Sequence, residues 1–202
     1  MHKTTKTTIA ALFMALAVTS SLAAQEFNMD TSHAHVGFGV RHFTVSTVRG
    51  SFTDFDAKVI YDADNPANSS VSVTIQTASI DTRMEQRDKH LRSGDFLDVD
   101  NHPAITFVST SMATTDDGFD VTGDLTIRGV THEVVLPVEV LGPITDPLGL
   151  RRMGVSGELT VNRQDFGVSW NRTMDAGGLF VGDEVEISIE GEFTHNPNPE
   201  AG

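Results

Sequence analysis

Alternation of apolar and polar residues is the feature that most restricts the fold of this 202-residue chain. Successive side chains of a β-strand point to opposite faces, so a period of two predicts strands with one buried face. Turn signals such as Asn65-Pro66, Asp116–Gly118 and Arg128-Gly129 separate the alternating segments. The pattern predicts about seven to nine antiparallel strands in a sandwich or a barrel, and periodicity alone does not distinguish the two.

The strands supply a set of large apolar side chains that share the inward parity. An interior lined by such groups accepts a hydrocarbon and rejects a sugar or a nucleotide, whose polar groups would stay unpaired. Phe52 and Phe55 differ in parity, so we expect a bulge between them, and Pro137 predicts an edge or a bulge in its strand. The inward set is Val36, Phe38, Val40, Val73, Ile75, Phe107, Leu125, Ile127, Leu136, Val155, Ile187 and Ile189.

Residues 79–107 interrupt the strands and predict one short amphipathic helix. Thr82 and Glu85 have the spacing of a capping box, in which each side chain binds a free N–H group of the first turn. Gly94 is a typical C-terminal stop. A single helix among strands is expected to cover an open end or an edge of the sheet. The residues expected on one face of the helix are Met84, Arg87, Asp88 and Leu91.

The N-terminal residues have the order of a secretory signal peptide. Lys3 and Lys6 precede an apolar run over residues 9–18, and small residues follow. The run is too short to span a bilayer, which needs about 20 residues, although an N-terminal anchor is the competing interpretation. Cleavage is expected after Ala23, or after Ala24.

The rest of the chain is expected to form one domain, because no repeat or linker divides it. We interpret residues 1–23 as a signal peptide, residues 24–195 as the β-domain and residues 196–202 as a disordered tail. Without the signal peptide the chain keeps 12 basic and 28 acidic residues, a net charge of 12 − 28 = −16. Such a surface repels nucleic acid and anionic membranes. The chain has no cysteine, which excludes disulfides, thiolate chemistry and cysteine-ligated metals.

No catalytic motif is complete. Gly154–Glu158 lacks the final glycine of a nucleophile elbow and lies in a strand pattern. His33 and His35 are two residues apart on a strand and could form a metal pair, but the sequence offers no third ligand. His42 shares the apolar parity, which is more typical of a core or rim residue than of a ligand. We therefore predict no catalytic site, no metal site and no cofactor.

An ordered series of motifs along residues 26–193 resembles the YceI-like family. Members of this family are periplasmic proteins whose lipocalin-like barrel binds polyisoprenoid lipids. The resemblance implies an antiparallel eight-stranded barrel, one helix covering an end, a periplasmic location and a homodimer. The matching residues are Asp30, His33, Phe38, Gly50–Phe52, Arg87, Asp88, His90, Leu91, Ser93, Asp95, Phe96, His102-Pro103, Ile105–Phe107, Gly123–Thr131, Asn162–Gly167 and Val181–Val185.

Parity and resemblance together give a set of candidate ligand-binding residues. Arg87 and Asp88 are open to two interpretations: a structural ion pair or capping partners, or a head-group site formed by Arg87 or Arg83. Trp170, the only tryptophan, either plugs one barrel end or forms a wall against an apolar chain. The set is Phe38, Val40, His42, Phe52, Ile75, Arg87, Leu91, Phe107, Leu125, Ile127, Val155, Phe166, Trp170 and Ile187.

Three classes of function compete at this point. The first is a carrier that holds a polyprenol, a polyprenyl phosphate or an isoprenoid quinone in an apolar cavity. The second is a cell-envelope enzyme that acts on such a lipid, and the third is a stress-related interaction module without a ligand. The sequence shows no convergent nucleophile, base and orienting residue, so it favours the carrier.

Overall fold

The computed structural model describes residues 24–172 and 180–197. The expected signal peptide, residues 1–23, lies outside the described residues, as does most of the expected tail. Two 3-10 turns, Pro66–Asn68 and Thr77–Ser79, accompany the strands and one helix. The elements are β1 (Gln25–His42), β2 (Ser46–Phe52), β3 (Phe55–Tyr61), β4 (Ser70–Gln76), β5 (Ile80–Asp81), α1 (Glu85–Arg92), β6 (Ala104–Thr114), β7 (Gly118–Ile127), β8 (Val130–Thr145), β9 (Arg151–Asn162) and β10 (Val181–His195).

All strands belong to one antiparallel sheet that closes into a barrel, because the last strand pairs with the first. The sheet runs β10-β9-β8-β7-β6-β4-β3-β1, and the β10–β1 ladder joins its two edges. β1 pairs with β3 near its start and with β2 near its end, so β2 and β3 share one strand position. The short β5 lies beyond β4 in the next position and pairs with β2. This closure gives eight strand positions, although residues 130–137 of β8 have no ladder to β9. The predicted barrel is confirmed, and the sandwich is excluded.

Phe52 and Phe55 lie on two separate strands. The expected single bulge is a two-residue break, because β2 ends at Phe52 and β3 begins at Phe55. Both rings still pack against the core. Pro137 pairs with Asp120 on β7, and the β8–β9 ladder begins only at the next residue, Val138. Proline has no N–H group to donate, and Pro137 lies at a position where β8 has no hydrogen-bonded partner in β9.

The two ends of the barrel differ. One end, called here the helical end, is formed by residues 43–45, 77–103, 128–129, 163–172 and Phe180. The opposite end, called here the closed end, contains the turns between β3 and β4, between β6 and β7 and between β8 and β9. A packed cluster fills the barrel towards the closed end; its buried members are Phe27, Ala57, Met153 and Phe193.

An ion-pair network ties strands together at the closed end. The Arg152 guanidinium lies 2.7 Å from Asp146, 3.0 Å from Glu192 and 3.4 Å from Asp30. The hydrogen bond from Arg152 lowers the pKa of the Asp146 carboxyl, and backbone N–H groups of the β8–β9 turn lower it further. Hydrogen bonds from Ser32 and His33 lower the pKa of Asp30. Solvent screens these partly exposed groups, so each contributes modestly.

The lowered pKa values predict that acid weakens the closed end. A carboxyl whose folded pKa is depressed stabilises the fold above its unfolded pKa, about 3.9, and this stabilisation is lost as pH falls towards the folded pKa. Asp146→Asn should therefore unfold at lower urea than the wild type at neutral pH, with a deficit that shrinks below about pH 4. Asp120→Asn, on the exposed barrel wall, is the control. A deficit in Asp146→Asn that stays constant with pH would contradict this assignment.

Candidate functional site

A cavity of about 260 Å³ lies inside the half of the barrel nearest α1. This volume is close to the lower end of typical small-molecule sites, about 300–1,000 Å³. Most lining groups are hydrocarbon or aromatic, and the described lining contains no aspartate or glutamate. The lining residues are Phe38, Val40, Arg41, His42, Val48, Phe52, Ile80, Arg87, His90, Leu91, Phe96, Leu97, Ile105, Ile127, Val161, Arg163, Phe166, Val168, Trp170, Phe180, Val181, Val185 and Ile187.

The structure brings ten of the fourteen candidate residues to this lining and places four elsewhere. Ile75, Phe107 and Leu125 are buried in the packed core beside the cavity, and Val155 packs against the closed-end cluster. All four side chains point into the barrel, but they lie at levels along its axis where packed side chains leave no cavity. The ten lining candidates are Phe38, Val40, His42, Phe52, Arg87, Leu91, Ile127, Phe166, Trp170 and Ile187.

Thr82 anchors α1 over the barrel, although not by the expected capping box. The helix begins at Glu85 with Met84 as its N-cap, so Thr82 lies before the first turn. The backbone N–H and the hydroxyl of Thr82 both donate to the Asp88 carboxylate, which is only 6% exposed. Arg87 Nε donates to the Thr82 hydroxyl oxygen and Arg87 Nη2 to its carbonyl oxygen, both at 2.7 Å. Arg87 and Asp88 therefore act together through Thr82, and the predicted direct ion pair is absent from the described contacts.

Arg87 makes structural contacts and also borders the cavity, and its role at a head group stays a prediction. It holds Thr82 and also lines the cavity, whereas Arg83 is exposed and lies outside the lining. Arg83 has a φ of +61° and its N–H donates to Asp81, so the chain turns sharply just before the helix. Met84 is half-exposed rather than buried on the inner helix face, because the helix starts one residue later.

Aromatic rings surround the cavity at the helical end. The Trp170 ring lies 4.9 Å from the His90 ring, 5.2 Å from Phe96 and 6.1 Å from Phe180, measured between centroids. Phe180 also contacts His42 at 5.0 Å. Trp170 is thus a wall of the cavity and part of the ring of side chains that narrows its end. His90 is held from outside, because its Nε2 lies 2.9 Å from Asp95.

Arg163 is a lining residue that sequence reasoning missed. It is 5% exposed, and it donates to the carbonyl oxygens of Val168, Trp170 and Gly182 and to the Asp183 carboxylate. Burial lowers the pKa of its guanidinium, and Asp183 opposes that effect. Its only signal in the sequence is its place in the Asn162–Gly167 motif. Arg163 fixes the loop that carries Trp170.

The metal pair that the spacing of His33 and His35 left open is not supported by the structure. The β1–β10 register shifts between Asp30 and Ala34, so His33 lies in an irregular stretch and its parity with His35 is lost. The His33 ring instead bonds Asp30 at 3.0 Å. Asp30, His33 and Glu192 come close enough to hold a metal ion, but Arg152 already supplies a cation to both carboxylates.

The lining combines apolar walls with a few guanidinium and imidazole groups. The described lining contains no carboxylate, serine or cysteine, and Asp95 and Asp183 contact His90 and Arg163 from outside it. The apolar walls favour a hydrocarbon chain, and the cationic groups favour a polar or anionic head. In residues 24–172 and 180–197, no helix has the length and apolar character needed to cross a membrane.

Known proteins show the same sequence pattern and fold. A family model described as the YceI-like domain matches residues 27–193. The chain is 40% identical over 192 residues to the UPF0312 protein ECA1782 of Pectobacterium atrosepticum, covering 95% of this chain and 98% of that protein.

Two solved structures resemble the barrel. The crystal structure of Burkholderia cenocepacia BcnA superposes with a TM-score of 0.71 at 28% identity, over 81% of this chain and 98% of BcnA. A polyisoprenoid-binding domain from Saccharophagus degradans, implicated in plant cell wall breakdown, superposes with a TM-score of 0.62 at 14% identity, over 86% of this chain and 99% of that domain. The sequence matches cover nearly the whole barrel, and this chain therefore belongs to the YceI-like family.

Proposed function

We propose that the protein is a non-catalytic carrier that holds the chain of a polyisoprenoid lipid in the barrel cavity. The observation that carries this proposal is the lining itself. It is mostly apolar, contains no carboxylate among the described residues, and is narrowed by aromatic rings at the helical end. A hydrocarbon loses no hydrogen bonds on entering such a space, whereas a sugar would. The polyisoprenoid-binding domain of S. degradans, which shares the fold, supports the choice of ligand class.

Among the candidate lipids, the lining favours an anionic head group such as that of a polyprenyl phosphate. Arg41, Arg87 and Arg163 line the cavity of a chain whose net charge is −14. Arg163 is fully engaged by backbone oxygens, and Arg87 is partly engaged by Thr82. The Arg41 side chain is exposed, alternates with the inward Val40 and His42 and bonds Thr47, so it points away from the cavity. Arg87 is therefore the cation that can meet a phosphate. A neutral polyprenol or quinone would give this guanidinium no anionic partner.

The proposal also includes the location and the oligomeric state of the protein. The signal-peptide pattern of residues 1–23 supports export, and the family resemblance supports a periplasmic carrier. A homodimer stays a prediction of the resemblance. The volume of about 260 Å³ suits one segment of a long chain, so the remainder must extend through the helical end or widen the cavity.

A titration with isoprenoids of graded length tests the carrier. Each methylene moved into the cavity contributes about 0.8 kcal/mol, so affinity should rise with tail length and then level off once the cavity is full. Trp170 lines the cavity, and its fluorescence reports binding. Phosphates should bind more tightly than alcohols of equal length.

The head-group preference has its own variants. Arg87→Met should weaken binding of the phosphates more than binding of the alcohols, because the Arg87 guanidinium borders the cavity. This variant also releases Thr82, so a thermal melt must show that it is folded. Arg41→Met removes a cation from the outer face and should leave the affinity for both head groups unchanged. Affinity that does not depend on tail length would contradict the carrier, and equal loss for both head groups would contradict the phosphate site.

A further inference from the structure

Charge is distributed unevenly between the two ends of the barrel. The helical end, as defined above, contains seven basic and seven acidic residues among those that the structure describes. The rest of the described barrel contains five basic and nineteen acidic residues, a net charge of −14. The described excess of negative charge therefore lies on the walls and the closed end, and the end that carries the cavity is neutral.

The neutral end also exposes apolar side chains beside the cavity. Val45, at the tip of the β1–β2 turn, is 81% exposed. Its N–H donates to the His42 carbonyl oxygen, and the Phe43 N–H donates to the Phe180 carbonyl oxygen. His42 and Phe180 both line the cavity, so this turn forms part of its rim. Val45 thus places one exposed apolar side chain at the mouth of the cavity.

Exposed cations at the same end, Arg83 and Lys89 among them, make no ion pair with another described residue. Lys89 lies on the exposed side of α1, and Arg83 precedes the helix. Within the described residues, the ion pairs of lysine and arginine involve Lys58, Arg152 and Arg163 but neither Lys89 nor Arg83. Unpaired cations beside exposed apolar residues match the head groups and the acyl region of a lipid surface.

We propose that the helical end docks on the surface of a lipid bilayer, with Val45 inserted and the cavity facing the membrane. The proposal extends the carrier function and depends on it, because a lipid ligand must enter from a bilayer. Repulsion between anionic lipid and the acidic walls disfavours a side-on orientation, whereas the neutral end carries no such penalty. The β8–β9 hairpin of the closed end exposes Leu141, Ile144 and Leu148 and is the competing docking surface. The charge distribution thus orients the barrel, and the apolar tip supplies the attraction.

Vesicle flotation with a matched pair of variants tests the docking surface. Val45 and Val135 are both exposed valines, but Val135 lies on the barrel wall in β8 and is 50% exposed. Val45→Glu should reduce partition onto phosphatidylcholine vesicles by about tenfold, because one valine side chain no longer enters the interface. Val135→Glu adds the same charge and should bind like the wild type. Equal binding of the two variants would overturn the proposal.

The dependence of vesicle binding on salt is a second test. Binding through a basic patch would weaken as salt rises, whereas binding in the proposed orientation should strengthen. The Debye length falls from about 30 Å at 0.01 M to about 8 Å at 0.15 M salt, which screens the distant walls more than the contacting end. Binding to vesicles that contain phosphatidylglycerol should therefore strengthen as salt rises over this range. Binding that weakens over the same range would contradict the proposed orientation.

The isoprenoid titration separates the two proposals. Val45 is outside the cavity lining, so Val45→Glu should bind a soluble short-chain isoprenoid with unchanged affinity. Normal isoprenoid binding with no vesicle binding by the wild type would refute docking and leave the carrier intact. Loss of isoprenoid binding in the wild type would instead refute the carrier, whatever the vesicles show.

Discussion

Phe38→Asp should abolish isoprenoid binding in a barrel that remains folded. The Phe38 ring lines the cavity and lies 5.8 Å from the Phe52 ring, with Gly50 opposite it on β2 leaving room for it. Phe38 is only half-buried, so a carboxylate there can stay hydrated while the cavity is empty. A bound hydrocarbon would remove that water, at a cost of several kcal/mol. We expect a loss of affinity of at least about hundredfold.

Control variants must show that the introduced carboxylate prevents ligand binding in the cavity and does not unfold the barrel. Ile127→Asp introduces the same group at a second lining position and should have the same effect. Val108→Asp places it on the outer wall, where the valine is already 53% exposed, and should bind normally. Circular dichroism and thermal melts establish that each variant is folded. A folded Phe38→Asp protein that binds like the wild type would leave the barrel as a packed module without a lipid site.

Arg163→Met should lower the free energy of unfolding by about 1–3 kcal/mol, the cost of leaving buried hydrogen-bonding groups without their partner. The methionine fills a similar volume but leaves carbonyl oxygens of Val168, Trp170 and Gly182 without their donor. Asp183 loses its cation at the same time. Urea unfolding followed by far-UV circular dichroism measures the change.

The control for Arg163→Met is Arg49→Met, because Arg49 is exposed on the barrel wall and makes no ion pair among the described residues. This variant should change stability by no more than about 0.5 kcal/mol. In folded Arg163→Met, the Trp170 emission should shift to the red, since the loop that holds the ring is released. An unchanged emission and an unchanged stability would show that Arg163 does not anchor this loop.

Local features of the fold could be predicted from the sequence. The turns at Asp116–Gly118 and Arg128-Gly129 and the strand β7 between them are as expected, because alternation and turn residues act over a few positions. Closure of the barrel could not be predicted from periodicity, since β1 and β10 are separated by nearly the whole domain. The family resemblance supplied that prediction.

The sequence predicted which side chains point into the barrel, but not where each one lies along the barrel axis. Ile75 and Ile127 have the same inward pattern, yet Ile127 lines the cavity and Ile75 is packed in the core. Parity states the face of a sheet that a residue occupies, but not its height along the barrel axis. The helix start was misread for a related reason: Thr82 and Glu85 match a capping box, but the left-handed turn at Arg83 moves Thr82 outside the helix.

Pairing of the first strand with the last delays completion of the fold. Met29 pairs with Phe193, and the Glu26 carbonyl oxygen lies 2.8 Å from His195 Nδ1, so both described ends of the chain meet in the closing ladder. β10 can join β1 only after the ribosome has produced nearly the entire domain. Until then the edges of β1 and β9 stay open to other chains. Such high contact order is typical of slow folding, so the nascent protein depends on protection from aggregation until its final strand arrives.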